Sequence, residues 1–368
     1  MASVKRRSFL KKAGAGLAAS AVGAISAPAI AADMPAVKWR LASSFPKSLD
    51  ILYGCSEILA DRVKKLTDGK FEIRVAAAGE IVPGLKVLDA VQEGTVECCH
   101  SASYYFIGKN KAFAFDCAMP FGMTARQQNA WMYYGGGLEL MREFFAEYSV
   151  INFPGGNTGT QMGGWFRNEI KSLSDLKGLK MRIPGFGGEI MAKLGVVPQT
   201  LAGADIYPAL EKGTIDAADW VGPYDDEKLG FYKVAKHYYY PGWWEPETQL
   251  VFYVNAKEWA KLPKLYQEAF ASAAAEVNLL SVAEYDVKNP KAMLQLLAKG
   301  VKLHRYPLDS MVAAQKIAFE LYDEEAKKNP AFKKIYEQWS KFRSTIHRWH
   351  SLAEHTMENF LYTTGSKR

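Results

Sequence analysis

Val37-Lys38-Trp39-Arg40-Leu41-Ala42 alternates polar and apolar side chains, the period of a strand with one covered face. Ser43-Ser44-Phe45-Pro46-Lys47-Ser48 follows as a loop, and Leu49 to Leu66 reads as an amphipathic helix stopped by Asp68-Gly69. Phe71-Glu72-Ile73-Arg74-Val75 alternates again, Val87 to Glu93 is helical in pattern, and Val96 to His100 reads as a short strand. The order β-α-β-α-β predicts an α/β fold, a sheet covered by helices.

The same order recurs downstream. Ser149-Val150-Ile151-Asn152-Phe153 is strand-like, and Ser174-Asp175-Leu176-Lys177-Gly178 leads into a strand from Lys180 to Ile183. Glu189 to Leu194 reads as a helix, Val196-Val197 as a strand, Pro208 to Gly213 as a helical turn and Ala217 to Val221 as another strand. Two α/β units with a crevice between them fit this pattern, and ligands favour such a crevice at the carboxyl ends of the strands.

The tail has a different period. Met311, Ala314, Ile317, Ala318 and Leu321 form a helical stripe within Asp309 to Asn329, and Pro330 suits the first position of a new helix. Ile335, Trp339, Phe342, Ile346, Trp349 and Ala353 then recur at steps of four and three. A single helix over 330–361 would be about 48 Å long. It packs either along both units of one subunit or partly on a second subunit.

Residues 1–32 read as a Tat-type signal peptide, to be excluded from the fold. Lys5-Arg6-Arg7-Ser8-Phe9-Leu10-Lys11-Lys12 carries a twin arginine, an Ala/Gly-rich apolar run follows from Ala13 to Ala27, and Ala29-Ile30-Ala31 is a small-residue cleavage pattern. Removing its five basic residues from the chain's 46 leaves 41 against 39 acidic ones, so the formal charge drops from +7 to about +2. A near-neutral surface argues against a nucleic-acid partner. The remaining 336 or so residues exceed one ordinary core, which makes two domains the expectation. Cys55, Cys98, Cys99 and Cys117 include no Cys-x-x-Cys pair, so zinc or thiol redox chemistry is disfavoured; buried free thiols and one disulfide both remain open.

No catalytic set emerges. Gly185-Phe186-Gly187-Gly188 is not a dinucleotide fingerprint, because Ile190 stands at the third glycine position, and the hydrolase, phosphate-loop and zinc-protease motifs are missing. His347, His350 and His355 spread around the tail helix and read as surface or packing residues. What remains suggests capture of a small organic acid. Leu179-Lys180-Met181-Arg182-Ile183-Pro184-Gly185 puts one arginine at a strand end, where a fixed guanidinium can hold a carboxylate by two parallel hydrogen bonds. Asp219-Trp220-Val221-Gly222-Pro223 gives an acidic-aromatic pair beside glycine and proline. Gly155-Gly156-Asn157-Thr158-Gly159-Thr160-Gln161 is either a hinge or a crevice wall presenting Asn157 and Gln161. Phe45, Tyr104, Phe186, Trp220 and Tyr224 are candidate walls that would set pocket volume.

Several longer segments agree on one family. They are Trp39-Arg40-Leu41-Ala42-Ser43-Ser44-Phe45-Pro46-Lys47-Ser48-Leu49, Glu93-Gly94-Thr95-Val96-Glu97-Cys98-Cys99-His100 and Pro154-Gly155-Gly156-Asn157-Thr158-Gly159. Leu210-Glu211-Lys212-Gly213-Thr214-Ile215-Asp216-Ala217, Trp220-Val221-Gly222-Pro223-Tyr224-Asp225-Asp226 and Pro241-Gly242-Trp243-Trp244-Glu245 complete the set. Together they resemble the solute-binding proteins of tripartite ATP-independent periplasmic (TRAP) transporters, the DctP family. Within it they are most similar to the subgroup that binds α-keto acids such as pyruvate, or to the related lactate binders.

The resemblance implies a two-lobed periplasmic binding protein that closes like a flytrap. Lobe I would take 33–158 plus about 248–287, and lobe II about 159–247 plus 288–368 with long C-terminal helices. It implies that Arg182 grips the substrate carboxylate, with Asn157, Gln161, Trp220, Phe45, Tyr104 and Phe186 around the substrate. It further implies a bridging cation, Na⁺ or Ca²⁺, held by Gln161, Asp219, the Trp220 carbonyl and Glu245. A 2-oxo acid suits this arrangement, since its carboxylate and keto oxygens make a five-membered chelate for a hard cation. Arg182, Asp219 and Glu245 sum to −1; Na⁺ plus an anionic ligand returns −1, whereas Ca²⁺ plus the ligand gives 0. Buried sites disfavour net charge, so the count favours calcium, while the family analogy favours sodium. The expected function is a periplasmic receptor, not an enzyme, that hands a 2-oxo monocarboxylate to a TRAP membrane permease and dimerises through its C-terminal helix. A 2-hydroxy acid receptor, a ligand-sensing partner of a membrane kinase and an exported enzyme are the competing readings.

Overall fold

The computed structural model describes residues 34–365, so the leader over 1–32 lies outside the described residues. The chain begins with β1 (Val37–Ser43), α1 (Asp50–Leu66), β2 (Phe71–Ala76), α2 (Val87–Gln92) and β3 (Cys98–Ser101). It continues with α3 (Ala125–Tyr134), α4 (Gly137–Ala146), β4 (Val150–Asn157), β5 (Trp165–Phe166), β6 (Lys180–Arg182), α5 (Gly185–Lys193) and β7 (Val197–Gln199). Then come α6 (Gly203–Glu211), β8 (Ala217–Ala218), α7 (Pro223–Leu229), β9 (His237–Tyr240), β10 (Gln249–Asn255) and α8 (Ala256–Lys261). Last are α9 (Lys264–Ala298), β11 (Lys302–Arg305), α10 (Leu308–Lys328), α11 (Pro330–Leu352) and α12 (Glu354–Gly365).

These strands form two sheets, as the α/β pattern predicts. The first is five-stranded in the order β2-β1-β3-β10-β4, and the second is six-stranded in the order β11-β9-β5-β8-β6-β7. β1 runs parallel to β2 and β3, with Val37 opposite Phe71 and Leu41 opposite Cys98, which is the topology that an intervening helix imposes. α1 covers this sheet with Leu52, Cys55, Leu59 and Val63, all buried and three or four residues apart. Each such fully buried aliphatic side chain contributes about 1.5–3 kcal/mol relative to exposure.

Gly155 and Gly156 are not a loop. β4 runs through Pro154-Gly155-Gly156-Asn157 and lies at the sheet edge, paired only with β10, where a proline costs no ladder bond. A Cβ at Gly155 would sit 2.2 Å from the Phe252 ring, so only glycine lets the edge strand press onto β10. Three other segments differ from expectation. α5 starts at Gly185, ahead of Glu189; α6 carries Pro208 in its interior instead of at its start; and β8 is only two residues long. All four cysteines are buried free thiols.

The 35-residue α9 joins the two sheets. Ser281 on it accepts a hydrogen bond from the Asn157 amide at 2.8 Å, and one turn further on Tyr285 donates to Asp225 of α7 at 2.7 Å. The tail is two helices, not one. The helix breaks at Ala353, where the Thr356 hydroxyl donates to the Ser351 carbonyl at 3.1 Å. The first half of the tail seam is taken up within the subunit. Phe332, Ile335 and Trp339 are buried, Trp339 against Phe115 at 5.7 Å, and Trp131 of α3 donates to Gln338. Beyond it Ile346 and Ala353 are partly buried, whereas Trp349, Leu352, Met357, Phe360, Leu361 and Tyr362 are exposed. Among the described residues no helix is long and apolar enough to cross a membrane.

α7 begins with two buried acids. Asp226 accepts from Trp165 Nε1 and the Tyr238 hydroxyl at 2.8 and 2.6 Å, while Asp225 has only Tyr285 on Oδ2 and leaves Oδ1 unpaired. Burial pushes Asp225 up to about 7 and Asp226 up to about 6. An unfolded aspartate titrates near 3.9, so between that value and 7 the folded Asp225 binds more protons and stability falls as pH rises. Asp225→Asn keeps the acceptor for Tyr285 and removes the titration. The stability of the variant minus that of wild type is therefore expected to grow by about 2 kcal/mol from pH 5 to pH 7. Urea unfolding at the two pH values checks this, and equal pH slopes would refute it.

Candidate functional site

β6 and β8 run parallel with Arg182 opposite Ala218, so the guanidinium leaves the strand end beside Asp219-Trp220. Arg182 is buried to 1% exposure. Its Nε donates to the Leu201 carbonyl at 3.2 Å, and one terminal nitrogen donates to the Asp219 carbonyl at 2.7 Å and reaches Asp219 Oδ2 at 3.5 Å. The other terminal nitrogen has only the Tyr105 hydroxyl, at 3.5 Å, leaving a donor edge in hand. The Trp220 ring lies 4.9 Å from the guanidinium carbon and fixes its plane.

Two buried acids share this one arginine. Burial pushes Asp219 up to about 7 against the pull of Arg182. Burial, followed by the Asp219 charge, raises Glu245 well above the usual carboxylate range. Thr248 Oγ1 donates to Glu245 Oε2 at 3.1 Å, and Gln161 Nε2 donates to Thr248 Oγ1 at 2.8 Å and to Thr158 Oγ1 at 3.1 Å. This relay spends the nitrogen of the Gln161 amide and leaves Oε1 buried without a donor. Asp219 Oδ1 is equally unpaired at hydrogen-bond distance; the nearby Trp244 donor lowers its pKa without closing a bond. Gly242 makes the arrangement possible. A Cβ there would lie 2.6 Å from the Met162 carbonyl and 2.8 Å from that of Gln161, so glycine alone brings the Glu245 loop against the Gln161 segment. Buried oxygens lacking donors, next to carboxylates with one shared counter-charge, are what a hard cation with oxygen ligands requires. The residues present therefore fit such an ion.

A small cavity adjoins these groups, lined by Phe45, Leu52, Ala102, Tyr104, Tyr105, Thr158, Gln161, Trp220, Val221, Thr248 and Leu250. Four residues expected from the sequence, Phe45, Tyr104, Gln161 and Trp220, face it directly. Arg182, Asp219 and Glu245 stand just behind, through Tyr105, Trp220 and Thr248. Three expected residues lie elsewhere. Asn157 spends its amide on Glu247 at 2.6 Å and its oxygen on the Gly159 amide at 2.9 Å. Phe186 packs against Tyr322 and Phe332 at 5.1 and 5.9 Å, in the core between α5 and the tail helices. Tyr224 points to a half-open rim, donating to Asp50 at 2.8 Å between Lys228 and Lys288. Thr158, Thr248, Tyr105, Leu52, Ala102 and Leu250 were not anticipated as a set. Glu245-Pro246-Glu247-Thr248 held the one available signal, two glutamates in an aromatic setting that must be buried with hydroxyl or amide donors.

Comparison with known proteins identifies the family. The family model DctP, described as bacterial extracellular solute-binding protein, family 7, matches residues 42–329. A monocarboxylate 2-oxoacid-binding periplasmic protein of Nostoc sp. is 53% identical over 360 residues, 97% of this chain and 99% of that protein. A TRAP transporter solute-binding protein of Bordetella bronchiseptica superimposes with a TM-score of 0.90 at 50% identity, over 90% of this chain and 99% of its own. It is a dimer with calcium and picolinate in one active site and an apo second site. A TRAP periplasmic solute-binding protein of Pseudoalteromonas atlantica, with sodium and pyruvate bound, matches with a TM-score of 0.85 at 40% identity, over 88% of this chain and 98% of its own. With the family model matched over most of its length and relatives similar from end to end, the chain belongs to the DctP family of bacterial extracellular solute-binding proteins.

Proposed function

We propose that this protein is the periplasmic receptor of a TRAP transporter and binds a 2-oxo monocarboxylate of pyruvate size. The observation that carries the proposal is a small cavity lined by Gln161, whose buried Oε1 lacks a donor, with a buried guanidinium that has a spare donor edge and the unpaired Asp219 Oδ1 just behind it. Arg182 grips one carboxylate oxygen. Gln161, Asp219, the Trp220 carbonyl and Glu245 hold a cation, Na⁺ or Ca²⁺, which when bound supplies a positive centre for the other carboxylate oxygen and the 2-oxo oxygen. Both ions occur in the relatives, sodium with pyruvate and calcium with picolinate. Picolinate presents a ring nitrogen in place of a keto oxygen, which keeps a 2-hydroxy acid such as lactate as the second reading.

The two sheets with their helices act as lobes that close on the ligand, the chain crossing between them near 158, 248 and 287. Export by the Tat-type leader places the receptor in the periplasm, where it delivers its ligand to the permease without catalysis. The uncovered apolar end of the tail, from Trp349 through Tyr362, is the surface through which two copies pair. Sedimentation at micromolar concentration is expected to show a dimer, and a monomer alone would remove this part of the proposal. The binding reading is tested on protein unfolded and refolded to strip carried-over ligand. Tryptophan fluorescence is titrated with pyruvate, longer 2-oxo acids, lactate and dicarboxylates, each with sodium, calcium or chelator. Saturable, cation-dependent binding of a monocarboxylate is expected; no response to any acid would refute the substrate class.

A further inference from the structure

We propose that Asp50, Tyr224, Lys228 and Lys288 form a polar latch between the two lobes that sets how long a captured ligand is retained. The proposal rests on the receptor reading above and adds to it a group outside the cavity. Asp50 opens α1 on the first sheet, whereas Tyr224 and Lys228 lie on α7 and Lys288 on the far part of α9. Asp50 Oδ2 accepts from the Tyr224 hydroxyl at 2.8 Å and from Lys288 Nζ at 3.3 Å, and Lys228 Nζ donates to Oδ1. The Tyr224 ring faces both ammonium groups, Lys228 at 4.2 Å and Lys288 at 4.6 Å from its centroid. Glu284 pairs with Lys288 one turn back along α9. Burial would raise Asp50, but its hydrogen bonds to Lys228 and Tyr224 hold it down at about 2, so the carboxylate stays charged in mildly acidic and neutral solution.

Each half of the latch is fixed to a different lobe. Leu52, Leu59 and Val63 bury α1 against the first sheet. Asp226 ties α7 to β5 and β9 of the second sheet through Trp165 and Tyr238. The Tyr224 amide donates to Asn289 Oδ1 at 3.0 Å and Tyr285 donates to Asp225 at 2.7 Å, which joins α7 and this part of α9 into one piece. The single Asp50 carboxylate therefore bridges the lobes. The lobes also meet along the tail helices, beside the Lys111–Glu189 pair at 2.7 Å. There Phe332 packs on Phe115 of the first lobe and Phe186 of the second, at 4.8 and 5.9 Å. Parting the lobes at that place would bare apolar rings to water, at a cost proportional to the area exposed. The latch differs in kind: Asp50 keeps 46% of its side-chain surface exposed, Lys228 31% and Lys288 29%. Water already reaches these groups and replaces the partner each loses, so the contact breaks and re-forms at little cost. Opening at the latch while the tail side stays packed is the motion this contrast favours, and the latch then stabilises the closed state alone.

The test times pyruvate release by stopped-flow tryptophan fluorescence on dilution of the loaded protein at saturating calcium, in wild type, Asp50→Asn, Lys228→Met and the double variant. Asp50→Asn removes a negative charge and Lys228→Met a positive one. A long-range field acting on an anionic ligand would shift release in opposite directions in the two, whereas a latch breaks with the loss of either partner. Asp50→Asn, which weakens three contacts, is expected to release pyruvate at least about threefold faster, the upper range for exposed ion pairs. Lys228→Met should move release the same way by less, and the double variant should match Asp50→Asn, since partners in one contact are not additive. Raising potassium chloride from about 0.01 to about 1 M shortens the screening length from roughly 30 to 3 Å; it should speed release from wild type and affect Asp50→Asn less. Release equal to wild type in both single variants, or shifted in opposite directions, overturns the latch and leaves the receptor reading standing. Wild type that binds no pyruvate overturns both.

Discussion

Arg182→Ala is expected to weaken carboxylate binding by at least about thirtyfold, because truncating one partner of a desolvated charge pair costs roughly 2–5 kcal/mol. The expectation follows from where the five guanidinium donors go. Three hold the protein together, through Leu201 and Asp219, and the donor edge beside Tyr105 is the part left for a ligand. Alanine removes both the grip and the charge opposing Asp219 and Glu245. Arg182→Lys separates the two effects, since lysine keeps a point charge without the planar fork. Its affinity is expected to fall between those of wild type and alanine. Calorimetric titration at saturating cation measures the loss, and cation titration of the ligand-free protein is the control. Two carboxylates freed of their arginine still attract a cation, so retained cation binding together with lost carboxylate binding distinguishes a missing grip from a collapsed fold. Carboxylate affinity within threefold of wild type would end the assignment.

The parts legible in the sequence share a physical trait. β1, α1 and β2 each have one covered and one open face, so their residues alternate with the period of the element. β10 has no such signature: all seven residues of Gln249–Asn255 are buried, because it lies between β3 and β4 under helices on both faces. β5 and β8 are two residues long and define no period at all, although β8 is what sets Arg182 beside Asp219. At the site, Arg182 announces itself because a charge at a strand end needs a partner. Thr158 and Thr248 do not, being small residues of common type whose meaning lies only in facing Gln161 from distant segments. Asn157 and Phe186 show the converse: their types suit a crevice, but in this structure Glu247 and the tail helices hold their side chains.

Asp219→Asn and Glu245→Gln are expected to abolish cation-dependent ligand binding. In wild type the two carboxylates face one guanidinium, and burial holds both above the ordinary carboxylate range. Such a site stores an unmet demand for positive charge, which a cation satisfies in a way that hydrogen bonds do not. Glu245→Gln retains an acceptor for Thr248, so the relay that orients Gln161 survives while one negative charge disappears. Asp219→Asn leaves the backbone carbonyl that holds Arg182 untouched. Each variant thus keeps its local hydrogen-bonded frame and loses charge, and each is expected to bind calcium or sodium at least about a hundredfold more weakly. The ligand follows the ion: at cation concentrations that saturate wild type, pyruvate affinity should drop towards the value wild type shows in chelator. That convergence is the decisive readout. A role for the two acids as mere structural partners of Arg182 predicts that the variants bind more weakly than wild type both with and without cation, by the same factor. If the factor is equal in the two conditions, the cation is not held by Asp219 and Glu245. If the variants match wild type in chelator and differ only when cation is supplied, the two acids carry the ion and the ion carries the ligand.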